Sequence, residues 1–108
     1  MIFVSGQLPL DPSGAIVGLG DIKAQTRRVL DNIAAILREA GSSLDEVVKT
    51  TVFLTSLDDF SGMNEIYASV FTSPYPARST VEIGRLPGGM LLEIECIALP
   101  NGKPHDRL

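Results

Sequence analysis

An arginine near the start of one β-patterned segment and a glutamate inside the next are the residues best suited to chemistry. Arg78 lies in Pro76-Ala77-Arg78-Ser79, and Glu93 lies in Glu93-Ile94-Glu95. A guanidinium group can hold a carboxylate or phosphate through two parallel hydrogen bonds. A carboxylate within reach of the held group can act as a general base toward water. The pair therefore indicates attack of water on a small anionic substrate, with no metal needed.

Each of these residues also has a purely structural interpretation. Arg78 could form a salt bridge with an acidic side chain nearby in the sequence, namely Glu82, Glu93 or Glu95. Glu93, taken alone, would be a solvated strand residue. Glu95 shares its strand face and could be a structural or interface partner. The two isolated residues therefore leave both interpretations open.

The pairing of the last two strands bears on where such a site would lie. If they formed a hairpin centred on Pro87-Gly88, Glu93 would oppose Glu82, and Arg78 would lie roughly 13 Å further along the strand. Like charges directly opposite each other are also unfavourable. Either another strand separates these two, or Arg78 meets a glutamate of a neighbouring subunit. Both alternatives favour a site at an interface.

The composition predicts a single soluble domain. The chain has 108 residues, 44% apolar and 20% charged, and we expect one domain over residues 1–100 followed by a flexible tail over 101–108. No apolar run approaches the roughly 20 residues of a membrane span, and residues 1–6 lack the features of a signal peptide. The single cysteine, Cys96, fits a reducing cytoplasm.

Charge and residue counts argue against several classes of function. The net charge is -4 and the basic residues are scattered, whereas nucleic-acid binders usually concentrate cations on one face. One histidine and one cysteine cannot build a zinc site, and there is no glycine-rich phosphate loop. Ser5 has no histidine base in an ordered element, since His105 lies in the tail. We therefore expect no nucleic-acid partner, no metal and no cofactor.

Periodicity indicates two helices and five strands. Apolar stripes at helical spacing predict helices over 22–40 and 60–71, with Asp21 capping the first and Gly41 ending it. The β-branched segment 47–55 predicts a central strand. Further strands are predicted over 2–9, 15–17, 77–83 and 90–99.

This order predicts an α+β fold, a single mixed β-sheet with both helices on one face. The strand–helix–strand unit over 47–83 should form a right-handed parallel crossover. In the last strand Cys96 alternates with core residues and should be inert packing. We expect the face away from the helices to carry a mixed set of side chains and to be covered by partner subunits. That set is Arg78, Thr80, Glu82, Leu91, Glu93, Glu95 and Ile97.

Five segments together resemble the reactive-intermediate deaminase family, also called Rid or YjgF-like. They are Ser5-Gly6-Gln7, the run from Gly41 to Leu54, Asn64, Pro76-Ala77-Arg78-Ser79, and Glu93-Ile94-Glu95. They occur in the family's order and extend from Ile2 to Leu99. The resemblance implies a chorismate-mutase-like subunit in a homotrimer, with the sheets facing the centre and the sites in clefts between subunits.

The resemblance also implies an activity and residue roles. The RidA branch hydrolyses 2-imino acids such as 2-iminobutyrate and 2-iminopropanoate to 2-keto acids and ammonia. By position, Arg78 would bind the substrate carboxylate and Glu93 would position the attacking water. Asn64, Ser5, Gly6 and the backbone at Thr80 would line the cleft, although Asn64 could instead cap polar groups at the helix edge.

Two departures from the family pattern are visible. RidA often has cysteine where this chain has Thr80, which matters little if only the backbone carbonyl is used. The family also begins with a further strand whose Gly-Pro-Tyr segment lines the site, so either the sequence is truncated or the protein does without that wall. Without that strand we expect an unpaired sheet edge.

The alternatives to a deaminase are a non-catalytic trimeric module that binds small carboxylates and, with less support, an endoribonuclease.

Overall fold

The computed structural model describes residues 1–101 and contains two helices and four strands. The helices are α1 (Ile22–Glu39) and α2 (Phe60–Val70). The strands are β1 (Ile2–Gln7), β2 (Val47–Leu54), β3 (Ala77–Glu82) and β4 (Leu92–Ala98). Single 3₁₀ turns occupy Leu44–Glu46, Leu57–Asp59 and Pro87–Gly89. The predicted helices and the four longer strands are confirmed to within a few residues.

The four strands form one mixed sheet in the order β1-β4-β2-β3. The pair β2–β3 is parallel, whereas β4 runs antiparallel to both β1 and β2. The predicted α+β architecture and the parallel crossover through α2 are therefore confirmed. Because β2 lies between β3 and β4, these two strands do not form a hairpin. Of the two alternatives to a hairpin, the structure therefore supports the one in which another strand separates β3 from β4.

The core lies between the helices and one face of the sheet. Thr50, Val52 and Leu54 of β2 are fully buried on this face. They pack with the apolar stripe of α1 and with alternate residues of β4, including Ile94 and Cys96. Each fully buried large aliphatic side chain stabilises the fold by about 1.5–3 kcal/mol. α1 begins at Asp21, whose carboxylate accepts a hydrogen bond from the Ala24 N–H at 3.1 Å.

The predicted strand over 15–17 is wrong. Only one bridge forms there, between Leu10 and Ile16. Pro9 and Pro12 stand on the opposing segment and have no N–H to donate, so the ladder cannot extend. The segment between Leu10 and Ile16 still forms a turn, in which the Asp11 carboxylate accepts hydrogen bonds from the Ser13 and Ala15 N–H groups at 2.9 and 3.0 Å.

The predicted orientation of β3 is also wrong. Arg78, Thr80 and Glu82 lie on the helix side, because they are in register with Thr50, Val52 and Leu54. Glu82 accepts a hydrogen bond from the Leu57 N–H at 2.9 Å. The alternation in β3 did not show which face of the strand is turned toward the helices. This edge strand lies against polar and aromatic side chains of α2 and not against the apolar core, so its polar residues can face the helices.

The face away from the helices carries Glu93 and Glu95, as predicted, together with apolar side chains. Phe3 is 71% exposed and Val81 is 43% exposed. Ile97 is in register with Phe3 and belongs to the same face. We call this surface, defined by Phe3, Val81, Glu93, Glu95 and Ile97, the open face.

The chain beyond Asn101 lies outside the described residues, and so do His105 and most of the predicted tail. Asn101 itself is attached to the fold, because its N–H donates a hydrogen bond to the Gly41 carbonyl at 2.8 Å.

Candidate functional site

Arg78 lies on the helix side of β3 against α2. Its Nη1 donates a hydrogen bond to Asn64 Oδ1 at 2.7 Å. Its guanidinium carbon lies 4.6 Å from the centroid of the Tyr67 ring and 5.4 Å from that of Phe60. Both distances are within the range of cation–π attraction. We call this group of four residues, Phe60, Asn64, Tyr67 and Arg78, the arginine pocket.

The charge of Arg78 is not neutralised within the described part of the chain. Among residues 1–101 the one ion pair joins Lys23 and Glu65, so the salt bridge from Arg78 to a nearby glutamate does not form. Asn64 occupies one of the five N–H donors of the guanidinium. The remaining donors can bind an anion.

A cavity of about 400 Å³ opens beside Arg78. Its lining comprises Asn64, Tyr67, Ala68, Tyr75, Pro76 and Arg78. It therefore combines a cationic group and an amide with aromatic and aliphatic walls. Such a lining suits a small carboxylate that carries a short apolar side chain.

Tyr67 is the best-fixed residue of the arginine pocket. It is only 5% exposed, and its hydroxyl lies 2.7 Å from Thr50 Oγ1 in a buried hydrogen bond. Burial raises the pKa of the Tyr67 hydroxyl, so the side chain is a neutral phenol at physiological pH.

The second group of predicted site residues lies on β1 and β4, at the edge of the sheet opposite to β3. Between Val4 and Gln7 the β1–β4 ladder contains a bulge, so that Ser5 and Gly6 both oppose Glu95. Such bulges re-aim side chains near active sites. We call Ser5, Gly6 and Glu93 the bulge site.

Gly6 leaves the space that the Glu93 side chain occupies. A Cβ atom added at Gly6 would lie 2.5 Å from Glu93 Cδ and 2.8 Å from Cγ, and it would overlap the carboxylate. The absence of a side chain at position 6 therefore allows the carboxylate to lie directly against the β1 backbone. No side-chain hydrogen bond to Glu93 is formed within residues 1–101, so its oxygens are available to water.

The two groups do not meet within one chain. Arg78 is in register with Thr50 of β2, and Glu93 is in register with Phe53. The two residues are thus separated by roughly 10 Å along the strands and about 10 Å across them. Their side chains also point to opposite faces of the sheet. A site that uses both residues must therefore combine two copies of the chain.

Thr80 lies on the same face as Arg78, one position further along that face. Its hydroxyl is buried and has no hydrogen-bond partner among the described residues. Among the described residues, the structure therefore gives this hydroxyl no hydrogen-bonding role.

The sequence-based reasoning missed Tyr67 and Phe60 as neighbours of Arg78, having assigned both to the core stripe of α2. A signal was present, because Phe60, Asn64 and Tyr67 follow one another at one-turn spacing along the helix. This spacing did not indicate contact with Arg78, because Arg78 was predicted to lie on the face of the sheet away from the helices.

Other chemically capable groups are few in the described region. Cys96 is a core residue, and burial raises the pKa of its thiol to about 11. It therefore stays protonated, in agreement with the prediction of inert packing. No cluster of three or more histidine, cysteine, aspartate or glutamate side chains suited to a metal ion occurs in residues 1–101. Over the same range, no helix has the length and apolarity required to cross a membrane.

Comparisons with known proteins identify the family to which this chain is similar. Residues 1–100 match the family described as Endoribonuclease L-PSP. A RutC family protein of Pyrococcus abyssi is 55% identical over 97 residues, which cover 90% of this chain and 76% of that protein.

Two solved structures are similar in both sequence and fold. RidA from an Antarctic Psychrobacter species has a TM-score of 0.82 and 44% identity, covering 89% of this chain and 77% of that one. Escherichia coli TdcF, solved with bound serine, has a TM-score of 0.83 and 43% identity, covering 92% and 80%. The family match over nearly the whole chain, and relatives of this identity, show that the chain belongs to the Rid/YjgF family, also known as the RutC or L-PSP family.

Proposed function

We propose that this protein hydrolyses reactive 2-imino acids, such as 2-iminobutyrate and 2-iminopropanoate, to 2-keto acids and ammonia. The observation that carries the proposal is the state of Arg78. Its guanidinium is held by Asn64 and Tyr67, yet no carboxylate of residues 1–101 pairs with it. A buried or half-buried cation without an ionic partner is a natural binding group for an anionic ligand. Arg78 would bind the substrate carboxylate and Glu93 would activate water.

The comparisons support a small carboxylate as the ligand. Serine, which is bound in the TdcF structure, carries the same α-carboxylate and a nitrogen on the adjacent carbon. A 2-imino acid has this arrangement with a double bond to nitrogen. The name of the Psychrobacter relative, RidA, favours the deaminase over other functions in the family.

The proposal includes a homotrimer with sites between subunits. Arg78 and Glu93 of one chain are on opposite faces of the sheet. The open face exposes Phe3 and Val81 on the same side of the sheet as Glu93, and apolar surface of this kind is typical of subunit interfaces. A neighbouring copy that covers this face would bring its arginine pocket toward the bulge site.

The proposed mechanism needs only these groups and water. The carboxylate of the protonated imine binds Arg78, which fixes the imine carbon beside a water molecule held by Glu93 of the neighbouring copy. The water oxygen bonds to this carbon while Glu93 accepts a proton, giving a neutral carbinolamine. The proton then passes from Glu93 to the nitrogen, the C–N bond breaks to release ammonia, and the ammonia takes the hydroxyl proton as the carbonyl forms. The products are a 2-keto acid and ammonium.

The expected acceleration is modest. General base catalysis contributes about 10²–10⁴-fold. This can be sufficient, because an imine is electrophilic and hydrolyses without a catalyst.

The test is a coupled assay in which threonine dehydratase releases 2-iminobutyrate and the decay of the imine is followed with and without this protein. Arg78→Ala and Glu93→Gln should each abolish the acceleration. Arg27→Ala and Glu39→Gln are the matched controls, since both residues are exposed on α1, outside the arginine pocket, the bulge site and the open face. Light scattering on every variant shows whether the oligomer persists. Full activity of Arg78→Ala would refute the carboxylate-binding role.

The same assay separates the alternatives. A non-catalytic module would bind 2-ketobutyrate in calorimetry and yet leave imine decay at its spontaneous rate. An endoribonuclease would cleave RNA in proportion to protein purity, and the cleavage would survive Arg78→Ala.

A further inference from the structure

The orientation of Arg78 is set by contacts that leave its charge and most of its donors free. An arginine side chain loses rotamer entropy when it is fixed, so an arginine that is already held in place binds an anion at a lower entropic cost. A carboxylate neighbour would hold it but would also neutralise it. A ring face holds the guanidinium without occupying any N–H donor. Tyr67 does this at 4.6 Å.

Tyr67 is itself fixed through its hydroxyl group. Its hydroxyl is hydrogen-bonded to Thr50 at 2.7 Å, and Thr50 is the residue of β2 that is in register with Arg78. The ring also contacts Phe71, with 4.6 Å between the centroids. Thr50 of β2 therefore lies next to Arg78 in the sheet and also fixes the Tyr67 ring that contacts the guanidinium.

We propose that Tyr67, locked through its hydrogen bond to Thr50, is the positioning residue that presents Arg78 to the substrate carboxylate. This rests on the proposed function, in which Arg78 is the carboxylate-binding group. The competing interpretation is that Tyr67 only fills the core, as the equally buried Phe71 does.

Phe71 supplies the matched control. Tyr67→Leu and Phe71→Leu each remove one aromatic ring from the same cluster, but only the first removes the ring beside Arg78. The measured quantities are the affinity for 2-ketobutyrate by calorimetry and the side-chain Nε–H resonance of Arg78 by NMR, on oligomers whose melting temperatures are recorded.

Tyr67→Leu should weaken 2-ketobutyrate binding roughly 2- to 30-fold and broaden the Arg78 Nε–H signal. Phe71→Leu keeps the Tyr67 ring and its hydrogen bond to Thr50, so it should lower the melting temperature with little change in either quantity. A folded Tyr67→Leu protein with wild-type affinity and an unchanged signal would overturn the inference. If Arg78→Ala also bound 2-ketobutyrate like the wild type, the proposed function itself would fail, so the two failures can be told apart.

The hydrogen bond can be tested separately with the double variant Tyr67→Phe/Thr50→Val, which leaves no buried hydroxyl without a partner. It also covers the case in which Tyr67→Leu does not fold. Because the ring remains but its lock is lost, the Nε–H signal should broaden and affinity should fall by a smaller factor than in Tyr67→Leu. A wild-type signal in this variant would contradict the role of the Tyr67–Thr50 hydrogen bond.

Discussion

The arginine pocket and the bulge site are built in different ways. Arg78 is held by side chains of its own chain, through an amide and two aromatic rings from α2. Glu93 has no such support, and the shape of the backbone at Ser5 and Gly6 gives it room. The first region therefore has a prepared orientation before any partner arrives. The second region depends on a missing side chain and, under the proposed function, on what a neighbouring copy places against it.

This difference explains why the two regions should respond differently to substitution. Changes in the arginine pocket should act mainly on affinity for the carboxylate, because binding there is the same in the ground state and the transition state. Changes in the bulge site should act mainly on kcat, because the base acts only in the chemical step.

Among substitutions that keep both Arg78 and Glu93, the largest expected effect is that of Gly6→Ala. The new methyl group would overlap the Glu93 carboxylate, so the base would have to move from its place beside the backbone. We expect kcat in the coupled assay to fall by roughly 100-fold, which is the lower range of general base catalysis. Affinity for 2-ketobutyrate should stay near the wild-type value.

Gly84→Ala is the control for this substitution, since a Cβ atom at that position meets nothing within 4 Å. A Gly6→Ala protein with wild-type kcat would remove the distinction between the two regions.

A smaller effect is expected for Asn64→Asp. The introduced carboxylate would lie at hydrogen-bonding distance from Arg78, where Asn64 Oδ1 now accepts at 2.7 Å, and would compete with the substrate for the guanidinium. We expect KM to rise roughly tenfold or more with a smaller change in kcat, as charge-assisted hydrogen bonds contribute about 1.5–3 kcal/mol. Initial rates at varied substrate concentration measure both quantities. A fall in kcat at constant KM would indicate that Asn64 acts elsewhere.

The smallest effect is expected for Thr80→Val. The Thr80 hydroxyl is buried without a hydrogen-bond partner among residues 1–101, so replacing it with a methyl group of similar shape removes an unsatisfied polar atom. Activity should stay within about twofold of the wild type, and the protein should be equally or slightly more stable to heat. A large loss of activity would show that the hydroxyl, and not only the backbone, contributes to the site.

Sequence reasoning predicted the helices and the central strand because their apolar residues follow a clear period. The apolar stripe of α1 and the β-branched residues of β2 could be buried only against the core, so their orientation was unambiguous. The alternation in β3 was less informative. Val81 and Ser79 looked more like core residues than Arg78 and Thr80, but an edge strand can turn its polar residues toward the flank of a helix.

The arrangement of the site depended on information that no local pattern contains. The position of β2 between β3 and β4 is a long-range pairing, and it separates Arg78 from Glu93. The role of Gly6 depends on a bulge whose neighbour is almost ninety residues away in the sequence. The roles that family resemblance gives to Arg78, Glu93 and Asn64 stay predictions, and their mutual geometry could be described only from the fold.

The central claim is that Arg78 of one copy works with Glu93 of another, and it is tested most directly by mixing two inactive variants. Arg78→Ala and Glu93→Gln proteins are unfolded together, refolded at equal concentrations and assayed for hydrolysis of 2-iminobutyrate, with each variant refolded alone as control. The account predicts recovery of about a quarter of the wild-type rate, because half of the copies supply each intact residue at a heterologous interface. Mixed oligomers with no activity above that of the separate variants would contradict it.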